Sequence, residues 1–417
     1  MGIKNSVLFQ KRELRQFCIL RFIFGISYSF MIPIIPLYFD LIGVSTVVIG
    51  IFMSLYGVSK ALAQIPFGLV SDAIGDKLLL MIALGLMTFV PFAYTIAPNN
   101  FIACFTYVIQ GGILGMAAPA TFSVLSRSLD EKRRGECTGF ASSVFTLGGG
   151  IGAAIAGFII AKFNNYNLVF YISSIGILLT LIFTIFKIKK SESAKEKKDK
   201  SLKFLNRIKT IVKDIKEHKL GCKILLLGVI AFLGDFIYGC VVSIFPFYGQ
   251  DVLGASLGYT SMIISIYLFI FGFGAPIGGY TSDKIGNKRQ LFISFIVMNL
   301  SLLGLSIFRN IPMFTVIIII YFLGATFLNA SLQSLLSEFG ENENIKGIVF
   351  GFVGASEATG YAVSPIVSAF IYNFNKNFLF IGVLIVSVLV SIIYLLLCKK
   401  ACITNNNCNK NICNKNK

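Results

Sequence analysis

Four ionisable side chains stand inside long apolar runs of this chain: Arg21, Lys60, Asp235 and Glu357. Each such charge costs at least ~2.5 kcal/mol at the centre of a bilayer unless it is paired or hydrated, so these residues point to a path for a proton, an ion or a polar ligand. Arg21 lies only a turn or so inside its run, where a long side chain can snorkel to the surface. Asp235 is 13 residues beyond Cys222, roughly 20 Å deep and close to the midplane, where a carboxylate can carry a proton or meet a cation. Lys60 precedes Asp72 by 12 residues and Glu357 follows Gly347 by 10, which is roughly 18 Å and 15 Å of helix. These opposite charges therefore sit at similar depth, where they either pair or face different cavities.

Bond-breaking chemistry has no comparable footing. The single histidine, His218, falls in a charged stretch, and no apolar run holds a carboxylate pair, a metal-ligand cluster or a nucleophile with a base at helical spacing. No glycine-rich loop ends in Lys-Ser or Lys-Thr, which argues against an ATP-driven pump. Neither an enzyme activity nor a cofactor nor a metal is expected. Nine cysteines, an odd number lying mostly in apolar runs or the tail, argue against disulfides, and the spacing of Cys402, Cys408 and Cys413 matches no zinc signature.

The elements that must position the four charges follow from composition. Of 417 residues, 56% are hydrophobic and only 13% charged, with mean hydropathy +0.80. So few charges cannot solubilise so much apolar surface, so the solvent for most of the chain is lipid. Twelve apolar stretches are long enough to cross a hydrocarbon core of ~30 Å. They cover about 17–39, 46–70, 78–96, 101–125, 137–161, 167–187, 222–248, 258–281, 290–308, 312–337, 347–371 and 377–398. Apolar nearly all round and without strand alternation, they are predicted helices that satisfy their own backbone groups. With the amino terminus inside, the cytoplasmic segments hold 32 of the 37 lysines and arginines, and the outer segments hold only Lys162, Arg309 and Lys376. That bias predicts an even number of spans with both termini in the cytoplasm, and it explains a net charge of +18 without nucleic acid.

The expected fold is an all-α membrane protein of twelve transmembrane helices in two pseudo-symmetric six-helix bundles. Residues 1–186 form the first half, 187–221 a cytoplasmic linker, 222–398 the second half and 399–417 a disordered cytoplasmic tail. The linker combines a charge run with apolar residues at helical spacing between lysines (Leu205, Ile208, Ile211, Val212, Ile215), the pattern of an amphipathic helix on an anionic leaflet. The halves repeat. PLYFDLIGVS from Pro36 returns as PFYGQDVLGAS from Pro246, Asp72 returns as Asp283, and Gly139 and Gly148 return as Gly351 and Gly360, at offsets of 210 to 212. Duplicated halves joined by a long basic loop suit a carrier whose site lies between them near the midplane.

The segments GLVSDAIGDK and GGYTSDKIGNKR resemble the loop signature of the major facilitator superfamily, and the resemblance covers essentially the whole chain. Close helix packing is expected at Gly68 and Gly279, and Asp72 and Asp283 stand at interface turns. The family implies that Asp72 holds the cytoplasmic ends of the halves together in the outward-facing state, against Arg127 and the amino terminus of span 11 near Gly347. Asp76 stands where the family usually has a basic residue. RFIFGISYSFMIPIIPLYFD, with Gly25, Pro33, Pro36 and Asp40, resembles the first helix of the proton-driven drug exporters, and its prolines suit a gate. Span 5 carries Gly139, Gly148, Gly152 and Gly157 at the spacing of the antiporter signature, with Ala153 in place of its proline, and Tyr107 replaces an arginine of span 4. Spans 1, 4, 7 and 10 line the cavity in this family, which implies Tyr28, Ser29, Tyr107, Gln110, Asp235, Tyr238 and Asn329 as lining residues.

The resemblance implies a secondary carrier in the cell membrane, a monomer exporting a small amphipathic or lipophilic molecule against inward proton flow. An uptake carrier for a sugar, nucleoside or organic acid is the alternative, and a passive channel the alternative from another class. The topology is testable at the tail: a membrane-impermeant maleimide should label Cys402, Cys408 and Cys413 only after permeabilisation, and labelling of intact cells would invert the arrangement.

Overall fold

The computed structural model describes the backbone of residues 11–97, 99–128, 134–189, 221–338 and 343–413. Among these residues every regular element is helical. In the first half they are α1 (Arg12–Ser29), α2 (Ile35–Leu41), α3 (Thr46–Ile74), α4 (Asp76–Ile96), α5 (Asn100–Ser128), α6 (Arg134–Phe163) and α7 (Tyr166–Lys187). In the second they are α8 (Gly221–Ser243), α9 (Phe245–Asp251), α10 (Leu257–Ile285), α11 (Asn287–Ile307), α12 (Ile311–Glu338), α13 (Glu343–Phe374) and α14 (Leu379–Cys413). Nine described helices are long and apolar enough to cross a bilayer, and α8 with α9, bent by 42°, makes a tenth. The other two expected spans, 17–39 and 347–371, fall on α1 with α2 and on α13.

Span 1 breaks between Ser29 and Ile35 around Pro33, and Pro36 sits in the first turn of α2, where its missing N–H is no loss. Pro246 opens α9 in the same way. The duplication is also visible in the turns. Gly43 (φ 85°) and Gly254 (φ 63°) end α2 and α9, while Gly75 (φ 92°) and Gly286 (φ 87°) join α3 to α4 and α10 to α11. Each pair is 211 residues apart. A backbone in this region favours glycine because no Cβ crowds the carbonyl, which explains the second glycine of the doubled loop signature.

Within each half, glycine brings helices to backbone contact. A Cβ on Gly148 would stand 2.6 Å from the Phe22 carbonyl oxygen, and one on Gly360 would meet the Phe232 carbonyl. α6 therefore seats on α1 as α13 seats on α8. The expectation for Gly68 and Gly279 is corrected: a Cβ on Gly68 would reach only the Pro119 side chain at 3.9 Å, and one on Gly279 nothing within 4 Å. These glycines stand toward the ends of α3 and α10, away from the contacts that close the halves.

The halves meet along two seams, α3 with α13 and α6 with α10. At the first, Gly57 leaves room for Tyr361 and Ala362, and the Ile366 N–H donates to Ser54 Oγ at 3.1 Å. At the second, Gly258 faces Ala161, and Ser265 Oγ donates to the Gly150 carbonyl at 2.6 Å. Both seams lie toward the ends that the charge bias places outside. Toward the opposite ends, Gly279 and Gly354 have nothing within 4 Å of a Cβ position.

Most of the linker, 190–220, with His218 and the expected amphipathic helix, lies outside the described residues. The backbone of α14 is helical as far as Cys413, beyond the point where composition suggested disorder; extension of an existing helix needs no new nucleus.

The packing predicts an asymmetric response of two glycines on one helix. Gly360→Ala forces a methyl group onto the Phe232 backbone and should cost about 1–3 kcal/mol, whereas Gly354→Ala enters open space and should cost nothing. Thermal unfolding in detergent checks this: equal Tm values for the two variants would contradict it.

Candidate substrate cavity

Between the halves lies a cavity of about 310 Å³ whose walls come from both. Tyr28, Ser29, Lys60, Tyr107, Gln110, Asp235, Tyr238 and Asn329 line it, and Glu357 is not among the lining residues. The side chains of Asp72, Arg127 and Asp283, expected at the gate, lie outside the described residues, as does that of Gly139's surroundings up to Phe140.

The wall of the first half is a hydrogen-bonded network. Tyr38 Oη donates to the Tyr94 carbonyl at 2.8 Å, Tyr94 Oη donates to Gln110 Oε1 at 2.6 Å, and Gln110 Nε2 donates to Tyr28 Oη at 3.4 Å. Tyr28 and Tyr56 share a hydroxyl bond of 2.6 Å. Gln110 is 1% exposed, and a buried amide keeps its place only with such partners. Chained in this way, the bonds fix which group each ring turns toward the cavity.

Stacked rings continue the wall across the seam. Tyr56 lies on Tyr107 at 4.6 Å, and Tyr238 on Tyr267 at 5.5 Å. Tyr361 joins the two stacks, 5.9 Å from Tyr56 and 5.8 Å from Tyr238. Tyr56, Tyr267 and Tyr361 did not emerge from sequence reasoning. A signal exists for two of them, since Tyr56 is four residues before Lys60 and Tyr361 four after Glu357, one turn away on the same helix face.

Of the four half-buried charges, Lys60 and Asp235 line the cavity, and Arg21 and Glu357 lie within electrostatic range of Lys60. Lys60 is within electrostatic range of Asp235, Glu357 and Arg21, and Glu357 is within range of Asp235. No direct ion pair joins Lys60 to either carboxylate among the described residues; its ammonium stands 5.9 Å from the centre of the Tyr361 ring. Arg21 turns toward the neighbouring helix α6. Its guanidinium lies 4.0 Å over the ring of Phe145, a lining residue on α6, which gives the cation an aromatic partner.

The profile of the Major Facilitator Superfamily matches residues 17–345. The chain belongs to this superfamily. It is similar to multidrug resistance protein MdtG of Proteus mirabilis (strain HI4320), 25% identical over 384 residues that span 86% of this chain and 89% of that protein. It is also similar to quinolone resistance protein NorA of Staphylococcus aureus, 23% identical over 158 residues, 38% of this chain and 40% of that one. Among solved structures, nucleoside transporter NupG in a mutant form aligns with TM-score 0.73 at 14% identity, covering 92% of this chain and 99% of that one. A bacterial homolog to the human lysosomal transporter Spinster, inward-facing and unoccupied, aligns with TM-score 0.73 at 12% identity, covering 95% and 98%. As a member of the superfamily, the chain is a multi-pass transporter working by alternating access and not an enzyme.

In this superfamily member the unusual Asp76 of the first signature loop has a clear place. It is buried at the amino terminus of α4, where the helix dipole favours an anion, and it accepts from the Lys77 N–H at 2.7 Å and from Ser123 Oγ at 2.8 Å. Lys77 Nζ donates to the Ile185 carbonyl at 2.8 Å near the end of α7. The loop thus ties α4 to its neighbours within one half.

At the other ends of the halves, Asp251 accepts from Lys376 Nζ at 2.5 Å and from Tyr372 Oη at 2.7 Å. Partial burial pushes the Asp251 carboxyl up, but the bonds from Lys376 and Tyr372 outweigh it and hold the group below the usual carboxylate range. Asp40, across the seam, is pushed up, first by burial and then by the Asp251 charge. The signs oppose each other. A depressed carboxyl stabilises above its ordinary range and loses that contribution as pH falls through its folded value, whereas protonation of a raised carboxyl relieves a cost. On acidification from about pH 6 to pH 3, stability should first hold or rise and then fall, and Asp251→Asn should remove the fall. Tm measured across this range checks it; an acid limb unchanged in Asp251→Asn would exclude this cluster as its source.

Proposed function

We propose that this transporter exports small amphipathic or lipophilic compounds from the cytoplasm against inward proton flow, with both termini inside and the chain working as a monomer. The observation that carries the reading is the cavity: stacked tyrosines from both halves and, among the described lining residues, one carboxylate, Asp235. Ring faces accept flat apolar ligands of varied outline, and a carboxylate in that setting takes up either a proton or a cationic group. The names of the relatives MdtG and NorA, a multidrug and a quinolone resistance protein, support export of this substrate class. Under the charge-derived topology, the seams close the outer side and the cavity faces the cytoplasm.

Asp235 serves as the coupling group in this reading. Lys60, within electrostatic range of Glu357 as well, supplies the positive charge that the carboxylate meets when it is ionised. The hydrogen-bonded wall of Tyr28, Tyr94 and Gln110 favours a second reading, uptake of a polar solute such as a nucleoside, sugar or organic acid. A passive channel is set aside by membership of a superfamily of alternating-access carriers.

The test is a proteoliposome assay with an imposed proton gradient and a panel of lipophilic dyes and polar solutes. Gradient-driven movement of dyes is expected. Asp235→Asn should abolish accumulation while retaining dye exchange without a gradient. Wild-type accumulation in that variant would exclude Asp235 as the coupling group, and movement of polar solutes alone would replace export with the uptake reading.

A further inference from the structure

We propose that Tyr361 is a positioning residue of the transport cycle: its ring holds the Lys60 ammonium at the seam between the halves, apart from the carboxylates of Asp235 and Glu357. This rests on alternating access alone and not on the identity of the substrate or coupling ion. Three observations meet at this residue. The ring of Tyr361 fits against Gly57, where any Cβ would come within 3.0 Å of it, so α3 is built to admit the ring at this level. It joins the aromatic stack of one half to that of the other. The Lys60 ammonium stands over it at 5.9 Å, within range of two carboxylates and directly paired with neither.

The backbone at Tyr361 is adapted as well. Pro365 cannot donate to the Tyr361 carbonyl, and Ser364 Oγ takes over that bond at 3.2 Å. The next amide, Ile366, bonds across the seam to Ser54. The turn that carries Tyr361 is therefore anchored to the opposite half just beyond the ring.

A free ammonium near two carboxylates would otherwise close onto one of them. A direct pair from Lys60 on α3 to Glu357 on α13 would draw the halves together on the side where they now stand apart, and would have to break in every cycle. An aromatic face offers the cation a weaker and less directional partner. Lys60 thus remains exchangeable between partners while the halves rock.

The experiment follows the distance between spin labels at Ile74→Cys and Ile285→Cys, both exposed at the ends of α3 and α10. It uses the full chain in liposomes, on a background with native cysteines replaced. Tyr361→Leu should shift the populations toward the shorter distance by about threefold, the scale of a lost cation–π contact, while Tyr361→Phe should match the wild type. In a Lys60→Met background, Tyr361→Leu should add no shift. An unchanged distribution in Tyr361→Leu, an equal effect of Phe and Leu, a shift to longer distance, or the same shift without Lys60 would each overturn the proposal. If Tyr361→Leu does not fold, Tyr361→Trp decides: the chain has no tryptophan, so the new indole is read alone. Its emission should move when Lys60→Met removes the ammonium from its face, and unmoved emission overturns the assignment.

Discussion

A lysine in an apolar wall must find electron density without becoming trapped by it, and the seam between α3 and α13 is arranged around that constraint. Tyr56, Gly57 and Lys60 on one helix face Glu357, Tyr361 and Ala362 on the other. The glycine admits the ring, and the ring receives the cation and completes the stack that walls the cavity. An ion pair made in one state and broken in the other would bias the equilibrium between them.

The two kinds of helix contact serve different purposes. Within a half, Gly148 against Phe22 and Gly360 against Phe232 bring backbones together, which makes each bundle resist deformation as a unit. Between the halves, glycine also brings backbones close at Gly50, where a Cβ would stand 2.7 Å from the Pro365 carbonyl oxygen, and the remaining links are aromatic edges, small side chains and single hydrogen bonds such as Ser265 to Gly150. Rigid halves convert a small change at the cavity into a large displacement at its mouths. The duplication is not exact where it matters. The proline that the antiporter signature would place at Ala153 stands 212 residues on, as Pro365, beside the Ile366 N–H that bonds across the seam.

The ends of the halves are held differently. On one side Asp251, Lys376 and Tyr372 form a bonded cluster with Asp40 close across the seam. Toward the other, the described bonds of Asp76 and Lys77 reach Ser123 and Ile185 in their own half. A contact that stabilises one conformation must lie between the halves, whereas one that stabilises a bundle must not. By that criterion Asp76 contributes to the first bundle.

The sequence by itself determined the architecture, because lipid leaves few alternatives. Apolar length, the lysine and arginine bias and a repeat near 211 residues each depend on local composition and order, and all three point to duplicated helical halves. It also named most of the cavity lining, from Tyr28 to Asn329, since a family likeness says which helices face inward and helix depth follows from 1.5 Å per residue. Rotation about a helix axis is different, because in an apolar span no polar face distinguishes lipid from protein. Arg21 was therefore expected to reach for the interface and instead covers Phe145. Gly68 and Gly279 looked like packing residues and meet little or nothing, and Tyr361 looked like any aromatic in a span yet bridges both halves. Those assignments depend on which residues of distant helices share one level and one face, and only the tertiary packing decided that.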